Sequence, residues 1–193
     1  MGAERSLQNA AELPITYRAH LTVDLKKEKT LALAVQVIFV LIGLVAVGAA
    51  LLLGLPLRTD WAPVVTLVVT LAACLVYMAA HEATHGVALQ LLTGVSPSYK
   101  VRFPFLTTGN RAYLTRRSAV IVALAPAIFW GIVLLAALLA LPDDYQLTAY
   151  IVLALNFAGS AGDIVEVHVV SRQQPEALVQ DDGNKLHVFL PMK

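Results

Sequence analysis

Residues 75–92 read "LVYMAAHEATHGVALQLL", a run fit for lipid except that it carries His81, Glu82 and His85 within little more than one helical turn. The apolar sequence around them extends back to Pro63, and about 20 residues of helix cross a bilayer core, so residues 63–92 read as a transmembrane span. Three more stretches meet the same length, at residues 31–55, 118–141 and 147–170. The expected fold is therefore all-α and integral to a membrane, with four transmembrane helices.

Composition agrees. Of 193 residues, 58% are hydrophobic and 14% charged, and the mean hydropathy is +0.72, outside the range of soluble domains. A net charge of +1 argues against nucleic acid as a partner and leaves the lipid bilayer as the expected one. Cys74 is the single cysteine, so an intrachain disulfide is impossible. The first thirty residues are polar and mixed in charge, without a short apolar core before a small-residue cleavage site, so no signal peptide is expected. The chain divides into an N-terminal segment (1–30), a four-helix domain (31–170) and a C-terminal tail (171–193).

Positive charge is distributed unevenly. Arg5, Arg18, Lys26, Lys27 and Lys29 precede the first span, and Lys100, Arg102, Arg111, Arg116 and Arg117 lie between the second and third. Arg172, Lys185 and Lys193 follow the fourth, whereas the other two connections hold only Arg58. The positive-inside rule then puts both termini and the 94–117 connection in the cytoplasm. In that connection Tyr99, Val101, Phe103 and Phe105 alternate with Lys100, Arg102 and Pro104, and "TTGN" offers a turn, which reads as a cytoplasmic β-hairpin. A weaker hairpin is expected around "DDGN" at 181–184, and "ITYRAHLTVDL" at 15–25 reads as a short strand. Pro126 should kink or interrupt the third span.

The chemistry lies in the opening stretch. Histidines four apart share a helix face and can point at one ion, while the adjacent glutamate serves as general base for a water activated by the metal. On insertion scales each ionisable group at membrane depth costs on the order of 2 to 3 kcal/mol, so three together require a partner, and a metal ion is the simplest. The bland alternative is a pair of histidines hydrogen-bonded to neighbouring helices. A catalytic zinc needs a third protein ligand and one open position. The fourth span offers Asp163, Glu166 and His168. Asp163 precedes Val170 by seven residues, as His85 precedes Leu92, so Asp163 lies level with the histidines, about 10 Å from the helix end at 1.5 Å per residue. Gly159 and Gly162 would let the helices approach closely and would suit a hinge. Asn156, two turns before Asp163, is a candidate catalytic donor to a developing oxyanion, with an interhelical hydrogen bond as the alternative.

HEATH in the second of four spans, the hairpin after it, "LAPAI" in the third span and "NFAGSAGD" in the fourth resemble the zincin peptidase family of prokaryotic four-helix membrane proteins. The resemblance runs from about Leu31 to the tail. More distantly, the chain is similar to the site-2 protease intramembrane metalloproteases, whose core has HExxH on one helix and an aspartate ligand on a later one. The resemblance implies zinc on His81, His85 and Asp163, catalysis by Glu82, a membrane-protein or peptide substrate, and a prokaryotic cell membrane. Two features depart from the site-2 pattern: Asp163 stands in "AGDIV" rather than in a leucine-aspartate-glycine context, and no PDZ-like domain is present. Two other readings compete with a peptidase. A metal transporter or sensor should string polar groups across the whole bilayer, and an inactive metal-binding relative would not need Glu82.

Overall fold

The computed structural model describes residues 9–25, 27–102 and 105–192. In chain order the elements are β1 (Tyr17–Val23), α1 (Lys29–Leu52), α2 (Pro63–Thr93), β2 (Ser98–Arg102), β3 (Phe105–Gly109), β4 (Leu114–Thr115), α3 (Arg116–Ala140), α4 (Asp143–Gly159), α5 (Ala161–Ser171), β5 (Leu178–Asp181) and β6 (Leu186–Pro191). The helices α1, α2, α3 and the α4–α5 run are each long and apolar enough to cross a membrane. Their outward faces carry large apolar side chains such as Leu44, Val45, Leu67, Ile132 and Leu139, all well exposed, which suits lipid and not water.

The fourth span is two helices rather than one. Ser160 lies between them, its hydroxyl donates back to the Asn156 carbonyl at 2.8 Å, and α5 restarts with Ile164 N–H on the Ser160 carbonyl. Such back-bonding by serine competes with the helical ladder and turns the chain. Pro126, by contrast, does not interrupt its span. It is buried inside a continuous α3, which begins directly after β4 with the Thr115 side chain accepting from Ser118 N–H.

The expected β structure is present and more extensive. The strand at the N-terminus and the tail hairpin join β4 in one antiparallel sheet of order β1-β6-β5-β4, with Val23 opposite Leu186 and Leu114 opposite Val179. The fold is thus not helices with a hairpin alone. A closed core of Val23, Leu89, Leu114, Ala119, Val170, Val179 and Leu186 forms where this sheet meets the ends of α2, α3 and α5. The β2–β3 hairpin stands apart, and its turn differs from the expected one. Ser98 pairs with Gly109 and Arg102 with Phe105, so "TTG" belongs to β3 rather than to the turn. Phe103 and Pro104 lie outside the described residues.

Candidate metal centre

Two helices deliver the central group. His81 and His85 come from α2, Asp163 from the first turn of α5, and one ligand atom of each lies within 4.8 Å of the others. His81 Nε2 is 3.3 Å from Asp163 Oδ2, and His85 Nε2 is 3.5 Å from Asp163 Oδ1. The break at Ser160 contributes here, because it gives Asp163 a helix N-terminus of its own, the end whose dipole favours an anion.

Two hydrogen-bond chains fix which nitrogen of each histidine carries the proton. His85 Nδ1 lies 2.9 Å from the Val122 carbonyl, which only accepts, so Nδ1 donates and Nε2 keeps its lone pair. That carbonyl is available because the residue four further on is Pro126, which has no N–H to give it. On the other side, Asn156 Nδ2 donates to the Ala127 carbonyl at 3.0 Å, turning its Oδ1 toward Tyr77. Tyr77 donates its hydroxyl proton to that oxygen at 2.8 Å, and so must accept from His81 Nδ1, also at 2.8 Å. The Nε2 lone pair of His81 is therefore free as well. Two imidazole lone pairs and a carboxylate converge on one point, and Asp163 Oδ2 is buried there without a hydrogen-bond partner among the described residues. Charging both histidines would satisfy Asp163 but would set two cations against each other, with ring centroids 5.0 Å apart. A divalent cation meets all three ligands at once. Two nitrogens and an oxygen form a set that suits zinc, with a fourth position left open. Outer hydrogen bonds of this kind, orienting the ring and fixing the tautomer, commonly accompany metal-binding histidines.

Glu82 lies beside this group. Its Oε2 accepts the Thr108 N–H at 2.9 Å, and its backbone carbonyl accepts the Thr108 hydroxyl at 2.7 Å, so β3 holds it from the side. Gly86 lets the hairpin approach α2: a Cβ there would collide with the Tyr99 ring and its hydroxyl. A cavity of about 490 Å³ opens over the group, lined by His81, Glu82, His85 and Asp163, by residues 107–110, and by the β5–β6 turn. Away from the long apolar helices, burial pushes the Asp181 carboxyl from its usual 3.8 to about 6. The Gly183 N–H that it accepts opposes the rise, and neighbouring Asp182 adds to it.

The residues anticipated from sequence are thus placed as follows. His81, Glu82, His85 and Asp163 meet in one cavity. Glu166 lines that cavity outside the converging group, and His168 is exposed elsewhere. Asn156, expected as a catalytic donor or as an interhelical bridge, is fully buried, does not line the cavity, and makes interhelical hydrogen bonds to Tyr77 and the Ala127 carbonyl. Gly159 and Gly162 do not serve close helix approach: a Cβ at Gly159 would come no nearer than 3.9 Å to Leu155, and one at Gly162 would meet nothing within 4 Å. Both line the cavity and keep it open. Sequence reasoning missed Tyr77, Thr108 and the role of Pro126. Tyr77, one turn before His81 on the same helix face, had a legible signal as the one tyrosine of an apolar helix.

No curated protein and no solved structure matches this chain. The model of the family described as "Putative zincin peptidase" does match, over residues 74–178, a segment that runs from the middle of α2 to the start of β5 and contains His81, Glu82, His85 and Asp163. More than half of the chain lies within that match, and the protein belongs to this family.

Proposed function

We propose that the protein is a zinc-dependent peptidase that hydrolyses peptide bonds of membrane-protein substrates within or close to the bilayer. The observation that carries this reading is the convergence of two neutral imidazole lone pairs on a buried, unpartnered carboxylate oxygen, with Glu82 in the same cavity. His81, His85 and Asp163 would hold the metal. When bound, zinc supplies Lewis acidity that polarises a peptide carbonyl and lowers the pKa of a water. Glu82 takes a proton from the attacking water and passes it to the leaving amine; its bond to Thr108 N–H engages one oxygen and leaves the other for that transfer. Because β3 lines the cavity at 107–109, it is the strand suited to pair with a locally unwound, extended substrate, as edge strands do in β-augmentation. Tyr77 and Asn156 act as positioning residues for His81. The sheet, the hairpin and both termini face the cytoplasm of a prokaryotic cell, in line with the charge asymmetry.

A transport path finds less support. Beyond Tyr77 and Asn156, toward the α1–α2 and α3–α4 connections, the buried polar side chains among the described residues are Thr70 and Thr148, hydrogen-bonded to each other at 2.8 Å. The reading is tested on detergent-purified protein by elemental analysis and by cleavage of an unfolded or transmembrane test substrate. Wild type should hold about one zinc per chain, and His85→Ala and Asp163→Ala should hold none. Glu82→Gln should keep the zinc and lose cleavage. Wild type that binds no metal under non-chelating conditions, or cleaves equally well without Glu82, would sink the proposal.

A further inference from the structure

The cavity continues past the metal group toward the sheet. On that side it is lined by Glu166, nearly one turn beyond Asp163 on α5, by Asp181 at the end of β5, and by Asn110 just after β3. Three hydrogen-bond acceptors from distant parts of the chain are brought together there. Asn110 is only 8% exposed, and its Oδ1 is buried with no hydrogen-bond partner among the described residues. An acceptor left unmet at that depth carries its full desolvation penalty, unlike one that a ligand completes. Asp181 accepts one bond, from Gly183 N–H at 2.8 Å. Among the described residues lining the cavity Lys185 is the one lysine or arginine; it is exposed, and no ion pair joins it to either carboxylate. A dication on the histidines would balance Asp163 and Glu82, leaving Glu166 and Asp181 without compensation.

We propose that Glu166, Asp181 and Asn110 form a recognition subsite for a basic side chain, arginine above all, of the peptide presented to the metal site. This rests on the peptidase reading and names its substrate class. A second metal ion fits less well. Among the described residues the convergent ligand group is His81, His85 and Asp163, and neither Glu166 nor Asp181 belongs to such a group. A guanidinium, with five N–H donors on a planar fork, can meet several carboxylate and amide acceptors at once. The arrangement also turns the tail hairpin into part of the site, because Asp181 comes from β5 and Asn110 N–H donates to its backbone carbonyl at 2.8 Å.

The test uses full-length protein carrying Glu82→Gln, so that nothing is turned over. It is titrated with fluorescent peptides that bear arginine at each position in turn, and with norleucine counterparts. At one position arginine should bind about tenfold tighter than norleucine, with the preference shrinking at high salt. Glu166→Gln and Asp181→Asn should each lose part of that preference, and together all of it, while norleucine binding and the bound zinc persist. Equal binding of the two series, or a preference that is undiminished in both single variants or survives in the double variant, overturns the proposal. So does a second metal ion per chain that disappears in those variants. Cleavage by protein with Glu82 intact judges the peptidase reading separately: arginine preference without any cleavage would remove that reading and keep the subsite, and cleavage without preference would do the reverse.

Discussion

The helix α1 and the broken α4–α5 span lie against each other, yet they are built on opposite rules. α1 is the most apolar of the four spans, with a mean hydropathy of 2.7 against 1.4, and none of its residues is buried. A Cβ at Gly43 or Gly48 would meet nothing within 4 Å. The α4–α5 span buries Asn156 and Ser160 and carries Asp163 and Glu166. The family match begins in α2 and leaves α1 out. Where lipid is the neighbour, apolarity suffices and the identity of each residue hardly matters; around the site each polar atom needs a particular partner at a particular distance.

The largest break in that contrast should come at Gly109, where a Cβ would stand 2.5 Å from the Asp182 carbonyl oxygen and 2.7 Å from its carbon. Backbone on both sides cannot yield easily, so Gly109→Val should cost about 3 kcal/mol and part β3 from the β5–β6 turn, read as a lowered unfolding midpoint in detergent. A matched pair of spans sharpens it next. At Gly131 a Cβ would lie 3.0 Å from Phe157 Cζ and 3.4 Å from Asn156 Nδ2. Gly131→Leu should therefore destabilise by about 2 kcal/mol in the same assay, and Gly43→Leu should leave the midpoint where it is. Equal effects would mean that the Gly43 face of α1 packs against protein.

Smaller and more telling are changes that leave packing intact. Tyr77→Phe removes the hydroxyl that accepts the hydrogen bond from His81 Nδ1, and Pro126→Ala supplies an N–H that competes with His85 for the Val122 carbonyl. Each should weaken zinc binding by about tenfold, as loss of outer hydrogen bonds does at other histidine sites. Pro126→Ala should do so while stabilising α3, a split that competition titration against a chelator and a melting curve read separately. The smallest effect concerns Asp181. Its carboxyl is raised from 3.8 to about 6 by burial, so the folded protein holds that proton longer than the unfolded chain does. The stability this confers is whole below about pH 4 and lost as pH rises through about 6. Asp181→Asn should thus stabilise the protein on the order of 1 kcal/mol at pH 7.5 and not at pH 4, in melts at the two pH values.

Sequence by itself determined the four apolar spans, because burial in lipid depends on length and hydropathy alone, and both are additive along the chain. It also determined the three metal-binding candidates, since ionisable residues at membrane depth are costly enough to stand out, and helical rise sufficed to match Asp163 to His85. Tertiary structure alone decided the rest. That Asn156 orients Tyr77 rather than facing the cavity depends on the turn at Ser160, and that Thr108 belongs to a strand holding Glu82 depends on the register of β2 with β3. That Pro126 releases a carbonyl for His85 depends on how α2 and α3 face each other. Hydrogen bonds are short and directional, so their partners are set by the relative placement of whole elements, which no local run of residues encodes.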